Sequence, residues 1–396
     1  MNGPLHDITV LDLTRNLAGP YCTMILGDLG ARVIKIERQK TGDDTRHWRP
    51  PEWNERSALF LSMNRNKESV VIDINTDAGV EVVKTLAVAA DVLVESFRTG
   101  SMLKRGLDYE QLRDINPKLV YCSITGFGSK GPHSGRPGYD AMMQAYSGIM
   151  SITGDPGGSP VRAGPSVIDM GAGLWAALGV LAAVRNRDAT GQGKHVEISL
   201  LETGVAWMSY FVTGFFGDGT IPGRYGTQHS MIAPYERFAT RDGDIFLGAA
   251  NDNLFQRLCN VVDLPELGTD KRFMTNPDRL AHREALHELL ASRLRMRDSE
   301  DWERILLKEA IPCTRIQTVD QMVQDPQVIA LDIIRRFKHP EIDNFKLVDH
   351  PISYDGVRSY RQDPPPELGE HTESVLRSFG YDEADMERMR REGIIG

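Results

Sequence analysis

Ile8-Thr9-Val10-Leu11-Asp12-Leu13 and Val33-Ile34-Lys35-Ile36 are two β-branched apolar runs, and between them Ala18, Tyr21, Met24, Ile25 and Leu29 recur at helical spacing. Strand, helix, strand over so short a span is a βαβ unit, and its two strands must be parallel. The alternation continues. Val70 to Ile74 reads as a strand, Asp77 to Ala90 as a helix with Val80, Val83 and Ala87 on one stripe, and Asp91-Val92-Leu93-Val94 as a further strand. A helix near Tyr109 to Ile115 and a strand at Leu119 to Ile124 follow. The expected architecture is a doubly wound, Rossmann-like parallel α/β domain.

From Tyr139 the pattern turns helical. Helices are expected at Asp140 to Met150, Asp169 to Arg187 and Leu201 to Phe216, with a strand at His195 to Ser199. Gly217 to Gly226 holds four glycines and a proline and reads as a linker. Beyond it Tyr235 to Thr240 and Asp244 to Gly248 flank Arg241-Asp242-Gly243, a hairpin. Amphipathic helices at Asn253 to Val262, Asp278 to Leu294 and Glu300 to Glu309 complete a smaller α+β domain ending near Pro326. Strand pattern returns at Lys346-Leu347-Val348, and a last helix is expected at Thr372 to Phe379.

The 396 residues carry a net charge of −9, which disfavours nucleic-acid or anionic-membrane binding. Cys22, Cys122, Cys259 and Cys313 contain no CxxC, so neither a disulfide scaffold nor a thiolate metal site is expected. The ten histidines show no ligand spacing. Met1 to Asp7 lacks the basic and apolar regions of a signal peptide. Leu174 to Val184, the longest apolar stretch, falls short of the roughly 20 residues that span a bilayer. A cytoplasmic protein without membrane or nucleic-acid partners is the expectation.

The loop Thr14 to Pro20 sits where a dinucleotide fingerprint would, yet lacks GxGxxG, and no GxxxxGK[ST], HExxH or GxSxG occurs. Nicotinamide or flavin chemistry, P-loop phosphoryl transfer, zinc hydrolysis and the serine nucleophile elbow all lose support. Arg38, Arg46, Lys67, Arg98 and Lys104 fall near predicted strand ends, where doubly wound sheets bind ligands. Asp169 precedes a long helix, where helix-end amides would keep a carboxylate ionised, and Gly171 and Gly173 would leave room for a ligand. An ordinary helix cap is the commoner reason for an aspartate there. Gly131 to Gly138 runs into the Tyr139-Asp140 helix start, a place for an anion or simply a surface loop.

Taken together, several segments resemble the class III (CaiB/BaiF-type) CoA-transferases over essentially the whole chain. They are Leu11-Asp12-Leu13-Thr14 with Ala18-Gly19-Pro20, Gly27 to Ala31 with Val33 to Glu37, Gly42 to Arg46, Asn64 to Ser69, Asp91 to Phe97, Gly138-Tyr139-Asp140 and Gly369 to Thr372. The resemblance implies a large CoA-binding domain split in sequence (residues 1–216 and 327–396), a linker and small domain at 217–326, and two chains interlocked as rings in a homodimer. It implies Asp169 as nucleophile, with Arg38, Ile72, Asn75, Ser96, Phe97, Lys104, Arg136 and Tyr139 lining the CoA site. No metal is implied. Tyr139 stands where racemases of the superfamily carry histidine, and a phenol of reference pKa about 10 is a poor base for that proton. Leu17 replaces the glutamine of oxalate-specific members. Gly42 to Arg46, Tyr121 to Gly126, and Arg224 to His229 with Pro234-Tyr235 resemble the succinyl-CoA–glutarate branch, making Arg46, Arg65, Arg224 and His229 candidates for holding a dicarboxylate. An acyl-CoA racemase and a non-catalytic acyl-CoA binder are the competing readings.

Overall fold

The computed structural model describes residues 3–358 and 360–396. The chain forms two units: residues 1–149, 163–213 and 328–396 make the first, residues 150–162 and 214–327 the second.

Six parallel strands form the centre of the first unit. They are β1 (Thr9–Leu13), β2 (Arg32–Glu37), β3 (Lys67–Val71), β4 (Val92–Glu95), β5 (Val120–Thr125) and β6 (His195–Ser199). Their spatial order is β3-β2-β1-β4-β5-β6, with Leu11 opposite both Ile34 and Leu93. The order reverses between β1 and β4, and the crevice beyond their carboxyl ends is where such sheets take ligands. Both faces of β1, β2, β4 and β5 are covered, which is why these strands read as apolar runs, whereas the edge strand β6 alternates exposed and half-buried positions. Leu11, Leu13, Ile36 and Leu93 pack with helix α2 (Asp77–Val88) on one face. Val10, Val33, Val94 and Cys122 pack with α1 (Ala18–Asp28) and the later helix α5 on the other.

The expected strand at Val70 to Ile74 is shifted to Lys67–Val71. Lys67 looks like a surface residue by type but is buried against Asp12, so the strand begins earlier than its apolar run. Ile72 instead forms an isolated antiparallel bridge with Ile395. The returning C-terminal segment is thereby pinned to β3, and its Val375, Leu376, Met386 and Met389 join the core under α2. Burying such side chains contributes about 1.5–3 kcal/mol each.

Short α3 (Ser101–Arg105) precedes β5, and α4 (Asp140–Tyr146) follows it. The helix expected over Asp140 to Met150 stops at Tyr146, because Gly148 adopts φ +94°. Helix α5 (Val167–Thr190) follows, then α6 (Leu200–Trp207), which ends at Met208 where the sequence suggested one helix to Phe216. At 24 residues, α5 is long and apolar enough to cross a membrane by length and composition, though half of its most apolar window is buried. Ala172, Ala176, Val180 and Ala183 face the sheet.

In the second unit the hairpin Tyr235–Ala239 and Asp244–Gly248 is extended antiparallel by Cys313–Arg315. Its helices bury Phe255, Leu258, Leu290 and Trp302 beside Phe238 of the sheet. The helix expected at Asp278 to Leu294 is two, Asn276–Ala281 and Arg283–Leu294, broken at His282.

Candidate active site

The loop after β1 is fixed from below by a buried polar cluster. Asp12, fully buried, accepts from Thr14 N (2.9 Å), Thr23 Oγ1 (2.7 Å) and Lys67 Nζ (3.1 Å). Lys35 Nζ donates to Thr14 O (2.9 Å), and Lys67 Nζ to Pro20 O (2.9 Å). Burial would raise the Asp12 carboxyl, but Lys35 and Lys67 hold it well below the carboxylate range. Residues 14–20 are therefore clamped at both ends, and Lys67 is a clamp rather than a ligand-binding cation.

Above this clamp lies a cavity of about 390 Å3 at the β1–β4 switch point. Arg15 to Gly19 line it from the β1 loop, Ser96 to Thr99 from the β4 loop, and Arg136 to Tyr139 from the loop before α4, with Asp169 at its edge. Ser96 Oγ accepts from Arg15 N (3.0 Å), tying the two strand-end loops together. A second cavity of about 260 Å3, lined by Arg38, Ile72, Ile74 and Asn75, shares Arg15, Phe97 and Arg105 with the first. Arg15 lies over the Phe97 ring (4.8 Å), and Arg105 Nη2 donates to Asn75 Oδ1 (2.8 Å). Burial and the neighbouring Arg38 pull Arg15 down from its ordinary value. Such convergence of guanidinium groups suits a phosphate-bearing ligand.

Asp169 occupies the first turn of α5 but does not cap it. The cap residue is Ser166, and the amides of Ile168 and Asp169 donate to Asp140 Oδ2 at 2.8 and 3.1 Å. Val167 N donates to Pro165 O and Met170 N to Ser166 O. Every amide of this first turn is occupied, so the expectation that they keep Asp169 ionised is overturned. Burial, and then the like charge of Asp140, push the Asp169 carboxyl up to about 7. The room expected at Gly171 and Gly173 is also taken. A Cβ on Gly171 would meet the Trp207 ring at 2.7 Å, and one on Gly173 would meet Ala18 O at 2.6 Å. These glycines admit α6 and α1 against α5, not a ligand.

The sequence-derived residues thus separate. Asp169, Ser96, Phe97, Arg136 and Tyr139 share the larger cavity, and Arg38, Ile72, Asn75 and Phe97 the smaller. Lys104 lines neither; Arg105, its neighbour on α3, lines both. Arg46 is bound to Glu37 (2.6 and 2.9 Å) beneath the Phe60 ring, and buried Arg65 grips Asp28 through two bonds of 2.6 and 2.8 Å. Neither is free to read a substrate carboxylate, because each neutralises a buried acid. Arg224 and His229 belong to the second unit, where Arg224 donates to Ser151 O and Gly158 O, and His229 packs edge-on to Tyr235. Asp28, Asp349 and His350 approach one another closely enough to suggest a metal. Arg65 already supplies the cation there, and Asn66 also donates to Asp28. Arg15, Arg105 and Asp140 were missed. Position alone could have flagged Arg15, since it lies two residues past the end of β1 at the switch point.

A doubly wound sheet with a carboxylate and several arginines around cavities at its switch point has the layout of a ligand-binding α/β protein. The CoA-transferase family III model matches residues 5–372, and the chain belongs to that family of enzymes, which act on CoA thioesters. It is 38% identical over 393 residues to the succinyl-CoA:glutarate CoA-transferase of Mus musculus, covering 99% of this chain and 90% of that one. It is 37% identical to the succinate–glutarate CoA-transferase of Agrobacterium fabrum (94% and 95% covered) and 35% to the acetyl-CoA:oxalate CoA-transferase of Acetobacter aceti (96% and 97%). Among solved structures, a CaiB/BaiF family protein from Brucella suis superposes with TM-score 0.86 at 36% identity, over 96% of this chain and all of that one.

Proposed function

We propose that the enzyme moves CoA from succinyl-CoA to a dicarboxylic acid such as glutarate through covalent intermediates on Asp169. The observation that carries this reading is an uncapped carboxylate at the edge of a cavity that runs into an arginine-lined cleft. An ionised Asp169 attacks the thioester carbonyl, forming an aspartyl–succinyl anhydride and expelling CoA thiolate. The thiolate attacks the aspartyl carbonyl, releasing succinate and leaving an aspartyl-CoA thioester. The acceptor carboxylate attacks that thioester, forming a new anhydride and expelling thiolate once more. Thiolate attack on the acceptor carbonyl then yields the new acyl-CoA and regenerates Asp169. No proton is gained or lost overall, so no general base is needed.

Oxyanion stabilisation has a source in α1. Among the described residues nothing accepts from the amides of Leu17, Ala18 and Gly19, which line the same cavity. Donors of this kind at a developing oxyanion are worth several kcal/mol. Arg15, Arg38 and Arg105 suit the phosphates of CoA, and Arg98 and Arg136 remain in the cavity for a distal carboxylate. Among the described residues no histidine lines that cavity, which supports transfer over racemisation. The homodimer, interlocked by resemblance, is supported by exposed Leu174, Trp175 and Leu178 on α5 beside Val205 and Trp207 on α6; the two indoles lie 6.1 Å apart.

The test is incubation with succinyl-CoA and a panel of carboxylic acids. New acyl-CoA species with dicarboxylic acceptors are expected. Exchange of the α-proton without an acceptor would instead mean racemisation, and absence of both would mean binding alone.

A further inference from the structure

Asp140 is buried to 94%, and no arginine, lysine or histidine pairs with it among the described residues. Its carboxylate is held by N–H donors only: the amides of Ile168 and Asp169 on Oδ2, and Gln144 Nε2 on Oδ1. Gln144, itself fully buried, is fixed in turn by accepting from Ala163 N (2.9 Å). A buried anion without a counter-charge is costly, and this one sits against a second carboxylate.

We propose that Asp140 is a positioning residue which occupies the helix-end amides and so leaves the Asp169 carboxylate unstabilised and reactive. This rests on the reading of Asp169 as nucleophile. The physical logic is differential. Repulsion between the two carboxylates acts while Asp169 is ionised and disappears once it becomes an anhydride or a thioester, both neutral at that residue. Asp140 therefore raises the ground state relative to the covalent intermediates, and the gain is specific to the chemical steps. A carboxylate stabilised by helix amides would be a weaker nucleophile. The high pKa of Asp169 is the equilibrium expression of the same repulsion and burial.

The other charged or titratable groups lining the cavity are Arg15, Asp44, Arg98, Arg105, Arg136 and Tyr139. On α6, Glu202 is engaged by Ser199 Oγ (2.6 Å). Among the described residues, Asp140 is the charge that pushes the Asp169 carboxyl up.

The test is the pH–rate profile of Asp140→Asn, which keeps an oxygen acceptor for the amides and removes the charge. The acid limb of kcat/KM should move about one unit down in pH, while the plateau kcat falls about tenfold and KM stays near wild type. Hydroxylamine trapping during turnover should modify a smaller fraction of Asp169 in the variant. Gln144→Met, which frees Oδ1 and loosens the hold of Asp140 on the Ile168 and Asp169 amides, must move the acid limb the same way. An unmoved limb in both variants, with Asp169 still trapped in the wild type, would overturn this inference alone. Failure to trap Asp169 in the wild type would overturn the covalent reading instead.

Discussion

Asp140 takes both the Ile168 and the Asp169 amide hydrogens (2.8 and 3.1 Å), so the carboxylate of Asp169 stands at a helix N-terminus without receiving its hydrogen bonds. An aspartate at this position in sequence ordinarily reads as a cap. Here a neighbouring carboxylate does the capping, and Asp169 is left to the cavity.

Replacing Asp169 with Ala or Asn should abolish transfer, a fall in kcat of about four orders of magnitude or more, because the covalent route is lost. Binding of CoA, measured by calorimetry, should stay within a small factor. Turnover retained at near wild-type rates would exclude Asp169 as nucleophile.

The same substitution should stabilise the fold in a pH-dependent way. The folded-state carboxyl titrates near 7 and the unfolded one near pH 4. Between these values the folded chain holds a proton that the unfolded chain has released, so wild-type stability falls as pH rises through that window. Asp169→Asn removes the buried charge, so its Tm should exceed wild type at pH 8, by the equivalent of about 2–4 kcal/mol, and the difference should shrink toward pH 4. A difference independent of pH would show that burial does not disfavour ionised Asp169.

The arginines divide into two behaviours. Arg65→Met leaves Asp28 buried and unpaired and should cost about 3–5 kcal/mol of stability. Arg105→Met, which removes bonds to Asn75 and Ser101 but leaves no buried acid unpaired, should lower Tm far less than Arg65→Met and raise KM for the acyl-CoA about tenfold to a hundredfold, the loss of one charge-assisted bond. Thermal melts and initial rates on both variants separate these outcomes.

Reading of a distal carboxylate is testable in the same cavity. Arg98→Leu and Arg136→Leu are the variants; one of them should raise KM for a dicarboxylic acceptor about tenfold or more and spare a monocarboxylic acid of similar length. Equal losses on both acid types in both variants would show that no distal carboxylate is read there.

The centre of the sheet was legible because its strands are buried on both faces, and Val10 to Leu13, Val33 to Ile36 and Val92 to Val94 read as largely apolar runs. The hairpin of the second unit was legible from Arg241-Asp242-Gly243. What sequence hid was the use of polar residues inside. Lys67, Arg65 and Arg46 look like surface or ligand-binding cations by type, and each neutralises a buried acid. Asp169 was legible as a candidate, but its chemical state was not, since Asp140 lies 29 residues away in sequence. The glycines Gly171 and Gly173 signalled close approach correctly and its cause wrongly: a helix and an indole, rather than a ligand, fill the space.

The covalent route through Asp169 is tested most directly by trapping. The enzyme is turned over on succinyl-CoA with hydroxylamine present, digested, and the peptide carrying Asp169 is weighed by mass spectrometry. The account predicts a hydroxamate on Asp169, formed only when acyl-CoA is supplied. An unmodified Asp169 under turnover, or modification centred on any other carboxylate, would contradict it.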